Sequence, residues 1–424
     1  PSAGLHPLDV ERIVHALRRL RDADNTVVVV DHEEGVLRGA DRIVELGPGA
    51  AESGGRIVFQ GTPDAMLASE ESLTGSYLSG RRAFSSPARR PLDWGWIEIR
   101  GARGSNLRDV DARIPLGVLC AIAGVSGSGK SALVERTIYP ALRAALNRQA
   151  PAAEPFDDFR CEGSLTDCLL VDQSPVGKSP RSNPATYIKA FDAVRDVFAD
   201  VSDAKARNYG KGHFSFNSEA GRCGKCRGDG RLQIDMQFLP DVFVRCPECR
   251  GSRYRREILE ILHRGRNIAE VLEMTVREAF GFFRGRSRLQ AKLKCLMDVG
   301  LDYVRLGQPA NTLSGGESQR LRLAECLASP RRGPTLFVLD QPTNGLHFRD
   351  LNSLWDCFNA LLSVGHSIWV IESRLHFLRM ADYVIELGPG AAEAGGRVIA
   401  EGTPEQIVVS RNSLVGPLLE KQLQ

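Results

Sequence analysis

The chain has 424 residues, 42% of them hydrophobic and 25% charged, which is the balance of a globular protein of about two to three domains and excludes a disordered or fibrous one. No apolar run reaches the roughly 18 residues of a membrane span, and the N-terminal residues lack a secretory signal's apolar core, so the cytoplasm is the expected compartment, with no membrane partner. Lys and Arg number 55 against 52 Asp and Glu, a net charge of +3 that points to no partner by itself, and ten cysteines are too few for a disulfide scaffold.

Residues 1–63 align without a gap with residues 342–404, at a constant offset of 341. Pro1-Ser2-Ala3-Gly4-Leu5-His6 answers Pro342-Thr343-Asn344-Gly345-Leu346-His347; Leu46 to Glu52 (LGPGAAE) returns as Leu387 to Glu393, and Gly61-Thr62-Pro63 as Gly402-Thr403-Pro404. That spacing is far beyond solenoid periods and marks a duplicated domain. The second copy follows the rest of its domain and the first does not. The chain is therefore expected to begin inside a domain, just after the position equivalent to Gln341, with residues 1–80 as that domain's tail. A connector is expected over 81–95, because Arg81 to Pro91 (RRAFSSPARRP) is basic and lacks periodicity.

A strand pattern resumes at Trp96-Ile97-Glu98-Ile99. Leu119-Cys120-Ala121-Ile122-Ala123 is an apolar strand leading into Gly124-Val125-Ser126-Gly127-Ser128-Gly129-Lys130-Ser131 and a helix from Ala132. This is a GxxxxGK[ST] phosphate loop in strand–loop–helix context, which a mere Gly/Ser turn would not have. Gly124, Gly127 and Gly129 free the backbone to wrap phosphates, and the Ser126 and neighbouring N–H groups meet their charge. Lys130 is placed to reach the β- and γ-phosphates of ATP, and the Ser131 hydroxyl to ligate Mg²⁺. The stretch 141–160 begins as a helix and decays into a Pro/Ala loop.

Cys223-x2-Cys226-x19-Cys246-x2-Cys249 forms two knuckles at the spacing of a four-thiolate Zn²⁺ site, rather than a redox dithiol or an iron–sulfur cluster. Gly228, Gly230 and Gly251 free the backbone for the turns around the metal, and His213 and His263 read as packing or surface residues. From Lys205 to Arg266 there are 14 Lys and Arg against 7 Asp and Glu. Aromatics are interleaved: Tyr209, Phe214, Phe216, Phe238, Phe243 and Tyr254. This composition suits a nucleic-acid backbone, with Arg222, Lys225, Arg253, Arg255 and Arg256 as candidate phosphate contacts; the competing reading is a solvated basic face over core aromatics.

Further on, Leu313-Ser314-Gly315-Gly316-Glu317-Ser318-Gln319-Arg320 resembles the signature motif of the ABC ATPases, whose Ser and glycines (here Ser314, Gly315 and Gly316, with Glu317 beside them) cap the γ-phosphate of ATP on the opposite domain. Thr335 to Asp340 is an apolar strand ending in a carboxylate, where a P-loop ATPase holds Mg²⁺. Ile368-Trp369-Val370-Ile371 is a further strand. Alternation of strands and helices gives an α/β fold: a P-loop ATPase core of ABC type with a helical signature domain and an inserted four-cysteine zinc module.

A zinc module between an ABC phosphate loop and signature, with tandem domains, resembles the UvrA family, the DNA-damage-recognition ATPases of bacterial nucleotide excision repair. Gly124–Ser131, Asp172-Gln173-Ser174-Pro175, Pro180 to Tyr187 (PRSNPATY), Phe214-Ser215-Phe216-Asn217, Phe238 to Val242 (FLPDV) and Leu301 to Gln308 carry the resemblance. It implies that Gln173 lies near Mg²⁺ and the attacking water. By the same resemblance, 96–174 is the phosphate-loop part of a second nucleotide-binding domain, 175–310 a signature insert with its zinc module at about 205–266, and 311–424 the signature helix and Walker B part. Expected partners are damaged double-stranded DNA, a UvrB-like protein reached through an upstream half, and a second copy in a homodimer. A UvrA-like self-resistance protein and an ABC module energising transport are the alternatives.

Two positions depart from the family. Gln341 stands where the family has the catalytic Glu after Asp340, and Ser373 where it has a His; the repeat aligns His32 with Ser373. Gln cannot accept a proton, and such a base contributes roughly 10²–10⁴ in rate. A site that binds ATP and hydrolyses it poorly is expected at Lys130, Gln173, Asp340, Gln341 and Ser373. The competent site is expected to use His32 and the Ser314–Glu317 signature. An engineered Glu-to-Gln trap would need only one change, so Ser373 argues for natural degeneration.

Overall fold

The computed structural model describes residues 1–424 except 3, 50–53, 83–87, 175, 178, 180, 237, 238, 330–332 and 424. The chain divides into two compact units, one of residues 1–172 and 331–424 and one of residues 173–330.

In the first unit a six-stranded sheet runs in the order 397–402, 383–388, 119–124, 367–371, 335–340, 167–171, and only the 397–402 strand is antiparallel to its neighbour. The apolar runs of the sequence become its central strands because a parallel sheet is covered on both faces; every residue of Leu119–Gly124, Ser367–Ile371 and Tyr383–Gly388 is buried. Trp369 fills the core, and its indole N–H donates to the Pro115 carbonyl at 3.0 Å. Parallel pairing of Asp340 with Ile371, and of Ile371 with Ile122, brings the carboxyl ends of three strands to one edge. A three-stranded antiparallel sheet of Trp96–Ala102, Val110–Pro115 and Asp158–Glu162 joins this core.

The duplication extends to the atoms. Helix Pro7–Asp22 matches Phe348–Ser363, strands Ile43–Gly47 and Arg56–Gly61 match Tyr383–Gly388 and Arg397–Gly402, and both pairs of strands carry a register shift at the same place. Ser72 and Ser413 each cap a helix while donating to a strand glutamate, Glu45 or Glu386. Residues 25–33, however, form no strand, although their counterparts 366–374 include Ser367–Ile371. A strand needs neighbours, and among the described residues none pairs with 25–33. Val28 and Val30 are accordingly 86% exposed, whereas Trp369 and Ile371 are buried.

The connector is less free than its composition implies. Residues 83–87 lie outside the described ones, but Arg89 bonds Glu405 and the Ala381 carbonyl, and Arg90 bonds Asp382. The helix after the phosphate loop is wound as a π-helix over Ala132–Ile138 before an α-helix, Tyr139–Ala145; the Tyr139 N–H reaches back five residues to Val134, and Pro140 has no N–H to give.

The second unit is helical, with an antiparallel hairpin, Arg231–Met236 and Leu239–Arg245. Helices starting at Pro184, Ile268, Val276 and Gly315 all begin with capping boxes. The signature helix Gly315–Ala328 belongs to this unit, where it packs on Ser287–Asp298; the structural division falls at 330, twenty residues beyond the boundary expected from sequence.

Candidate nucleotide and metal sites

The loop 124–131 leaves the end of a wholly buried strand. Gly124, Gly127 and Gly129 have φ of 134°, 76° and 105°, conformations that favour glycine, and a side chain on Gly124 would meet the Leu387 carbonyl oxygen at 2.1 Å. The Ser126 N–H donates to Oδ2 of Asp9, from the first copy of the repeat, at 3.3 Å. A carboxylate oxygen held by a loop amide indicates that this loop receives anionic oxygen, so the residues present fit a phosphate. Lys130 Nζ donates to the Gly124 and Val125 carbonyls at 2.8 Å each. Burial pulls its pKa down to about 8, against the pull of Asp340, Asp9 and Glu372. Asp340 ends the strand two places away, beyond 367–371, and burial followed by the charge of Glu372 raises its carboxyl above the ordinary range, opposed by Lys130. Ser131 and Asp340 carry oxygen atoms of the kind that Mg²⁺ prefers.

The two departing residues are both engaged. Gln341 follows Asp340 with φ of 48°, its N–H donating to Ile371 O at 2.9 Å and its side-chain amide to Gly4 O at 3.1 Å. Ser373 is buried, and its hydroxyl donates to Gly124 O, at the base of the phosphate loop, at 3.3 Å. Beside Ser373 is a residue that sequence reasoning passed over. The Glu372 carboxylate accepts the N–H groups of Ser373 and Arg374 and the hydroxyl of Thr343. In the first copy Asp31 does the same for His32, Glu33 and Ser2. His32 is exposed, its ring 6.1 Å from that of His347 and edge-on to it. Asp9, Glu372 and Arg374 could have been found from the repeat, which aligns them with Asp350, Asp31 and Glu33.

In the second unit, Ser314 caps the signature helix. Its Oγ accepts the Glu317 N–H, while Glu317 accepts the Ser314 N–H at 2.9 Å and the Tyr303 hydroxyl at 2.7 Å. The Glu317 side chain is thus occupied in holding the helix start. Ser314 and Gly315 remain exposed there, Gly316 half-buried, presenting N–H groups at a helix N-terminus. Gln173 adjoins this turn, 3.6 Å from where a side chain on Gly315 would begin.

The four cysteines converge. Their Sγ atoms all lie within 4.8 Å of one another, Cys223 to Cys246 at 3.9 Å and Cys226 to Cys249 at 3.6 Å. Tetrahedral thiolates at ~2.3 Å from Zn²⁺ would be about 3.8 Å apart, so the group fits that ion. Both knuckles turn alike: Arg227-Gly228 and Arg250-Gly251 share φ of 51° and 95°. The two nearby histidines lie outside the group, His213 stacked on Tyr209 and His263 among Phe198, Phe282 and Phe283.

The basic candidates separate. Lys225, Arg255 and Arg256 are exposed; Arg222 is partly covered and pairs with Glu219. Arg253 is turned inward, donating to Gly307 O and lying 5.3 Å over the Phe216 ring, and burial lowers its pKa. This placement engages the guanidinium within the second unit. Phe214, Phe216 and Tyr254 are core residues, and the Phe238 side chain lies outside the described ones. The hairpin instead exposes Ile234, Val242, Phe243 and Val244, an apolar strip that the charge pattern did not single out.

No family model matches the chain. It is 46% identical to UvrABC system protein A of Staphylococcus aureus over 425 residues, covering all of this chain and 45% of that protein. The same protein of Clostridium perfringens is also 46% identical, again over 45% of its length. Among solved structures, UvrA2 from Deinococcus radiodurans matches with a TM-score of 0.92 at 43% identity, over 100% of this chain and 51% of that one. A chain of the ribosome-bound archaeal Pelota and ABCE1 assembly shares the fold alone, at a TM-score of 0.51 and 15% identity over 97% of this chain and 53% of that one. The chain spans about half the length of the relatives it matches.

Proposed function

Because the chain belongs to the UvrA family, we propose that it forms the ATP- and DNA-binding portion of a nucleotide excision repair subunit, in which ATP binding and hydrolysis drive recognition of damaged double-stranded DNA. The observation that carries the nucleotide half is the glycine cradle of 124–129, whose Ser126 amide already holds a carboxylate oxygen. Phosphates would be received by the loop N–H groups and by Lys130, turned away from its own carbonyls. Ser131 and Asp340 would hold Mg²⁺, which supplies charge neutralisation at the phosphates. Cys223, Cys226, Cys246 and Cys249 would hold Zn²⁺, which supplies folding free energy to the module. Lys225, Arg255 and Arg256 would meet the DNA backbone.

Gln341 and Ser373 make the proposed reaction asymmetric. A composite site using this phosphate loop would bind ATP and turn it over slowly, while turnover would come from the site using His32 and the Ser314–Glu317 signature. A UvrB-like partner, a homodimeric assembly and a cytoplasmic location belong to the same proposal; among the described residues no helix is long and apolar enough to cross a membrane. The same two residues favour a second reading, a UvrA-like self-resistance protein. Calorimetric titration with Mg²⁺–ATP tests the nucleotide reading: wild type should bind and Lys130→Ala should not. Absence of wild-type binding would overturn it. Rescue of an excision-deficient strain separates repair from self-resistance.

A further inference from the structure

The two copies of the repeat meet inside the first unit, and there one position faces itself. At the offset of 341, Glu33 is the counterpart of Arg374. These two are also an ion pair, Oε2 to Nε, at 4.0 Å. Contact between equivalent positions is what an approximate two-fold places on its axis. Were two identical copies paired this way, Arg374 would face Arg374, or Glu33 would face Glu33.

The arginine is fixed rather than trailing in solvent. Its Nη1 donates to Leu346 O at 2.9 Å, its Nη2 reaches His32 O of the first copy at 3.5 Å, and the guanidinium lies 4.8 Å over the Phe348 ring. Its side chain is 9% exposed. The carboxylates acting on it are Glu33, Asp31 and Glu34 from the first copy and Glu372 from its own. A second contact joins the copies here: His376 Nε2 lies 3.6 Å from Glu34 Oε2, and the counterpart of His376 is Gly35. The guanidinium therefore sits on the second copy, with Glu33 and Glu34 facing it from the first. At a buried contact, a like pair would leave each charge both uncompensated and repelled.

We infer that Arg374 set against Glu33 and Glu34 selects the unlike pairing, first copy with second, and opposes the pairing of like copies. This holds whether or not either nucleotide site hydrolyses ATP.

A charge-reversal cycle tests it directly, because each single variant recreates a like pair within one chain. Arg374→Glu gives acid on acid and Glu33→Arg base on base, while the double exchange restores opposite charges in reversed order. All four tryptophans (94, 96, 355 and 369) lie in the first unit, so their fluorescence in urea follows that unit alone. Each reversal should lower the folded-to-unfolded ratio by on the order of 100-fold, and the exchange should recover most of that drop. Arg374→Met, which removes charge and keeps bulk, should be less damaging than Arg374→Glu, and this milder comparison stands even where a reversal variant does not fold. An exchange as unstable as both reversals combined, or a Met variant as damaging as the Glu variant, would overturn the inference.

Discussion

His6 gives the sharpest stability prediction, because its ring is wholly buried and its two nitrogens are treated differently. Nδ1 accepts the Leu8 N–H at 3.3 Å, capping the helix Pro7–Asp22, while Nε2 has no hydrogen-bond partner among the described residues. Burial, reinforced by Lys130 and opposed by Asp9, lowers its pKa from 6.5 to about 4. The unfolded chain therefore binds a proton between those values that the folded chain refuses. Stability from this residue is fully present above pH 6.5 and lost as pH falls towards 4, by 1.36 kcal/mol per pKa unit, or about 3 kcal/mol in all. His6→Asn keeps a side-chain acceptor at the cap and cannot be protonated. Urea midpoints followed by tryptophan fluorescence, taken from pH 7 to pH 4, should fall less for His6→Asn than for wild type. Parallel curves would refute the reasoning. His347, its counterpart, bonds the Thr74 hydroxyl through Nε2, and burial lowers its pKa as well, so its contribution also falls as the pH drops below 6.5.

Elemental analysis should find one zinc per chain, and Cys223→Ser should lower it; zinc content that ignores the substitution would remove the metal from these residues. Among the basic residues, replacing Lys225, Arg255 and Arg256 together by Ala should reduce the salt slope of duplex binding by about 0.9 for each phosphate no longer neutralised. Arg253→Ala should leave that slope unchanged and instead lower the stability of the second unit, since its guanidinium bonds Gly307 O. A changed slope for Arg253→Ala would return that residue to the DNA surface.

What was legible in the sequence is what depends on neighbours in the chain. The phosphate loop, the two knuckles and the apolar strands could be read because strand, turn and helix signals lie within a few residues of the group they position. Contacts between the copies could not: Asp9 and Ser126 are 117 residues apart, and neither has a pattern announcing the other. Basic and aromatic residues alternating along 205–266 looked like one surface, yet folding sends Phe214, Phe216 and Arg253 inward and leaves Phe243 out. Residues 25–33 align by the repeat with a segment that holds a strand, but a strand pattern states only what the segment can do beside a partner. The capping role of Glu317 was visible in principle as S-x-x-E, and was obscured by reading the same residues as a ligand motif.

The fate of Gln341 follows from these cross-copy contacts. Gly4 has φ of 73°, and a side chain there would begin 2.1 Å from Gln341 Oε1, so the glutamine fills the room that the opposite loop leaves. Its amide donates to Gly4 O, a bond that a carboxylate cannot make. Gln341→Glu should therefore cost about 1 kcal/mol of first-unit stability, the worth of one neutral hydrogen bond. It should also fail to restore turnover alone, because the second missing group remains replaced by Ser373, whose hydroxyl is held on Gly124 O. Gln341→Glu with Ser373→His should raise turnover at this site, assayed in a protein that also carries the partner signature. Full activity from Gln341→Glu alone, or unchanged stability, would show that the amide has no structural part and that the substitution altered only the base.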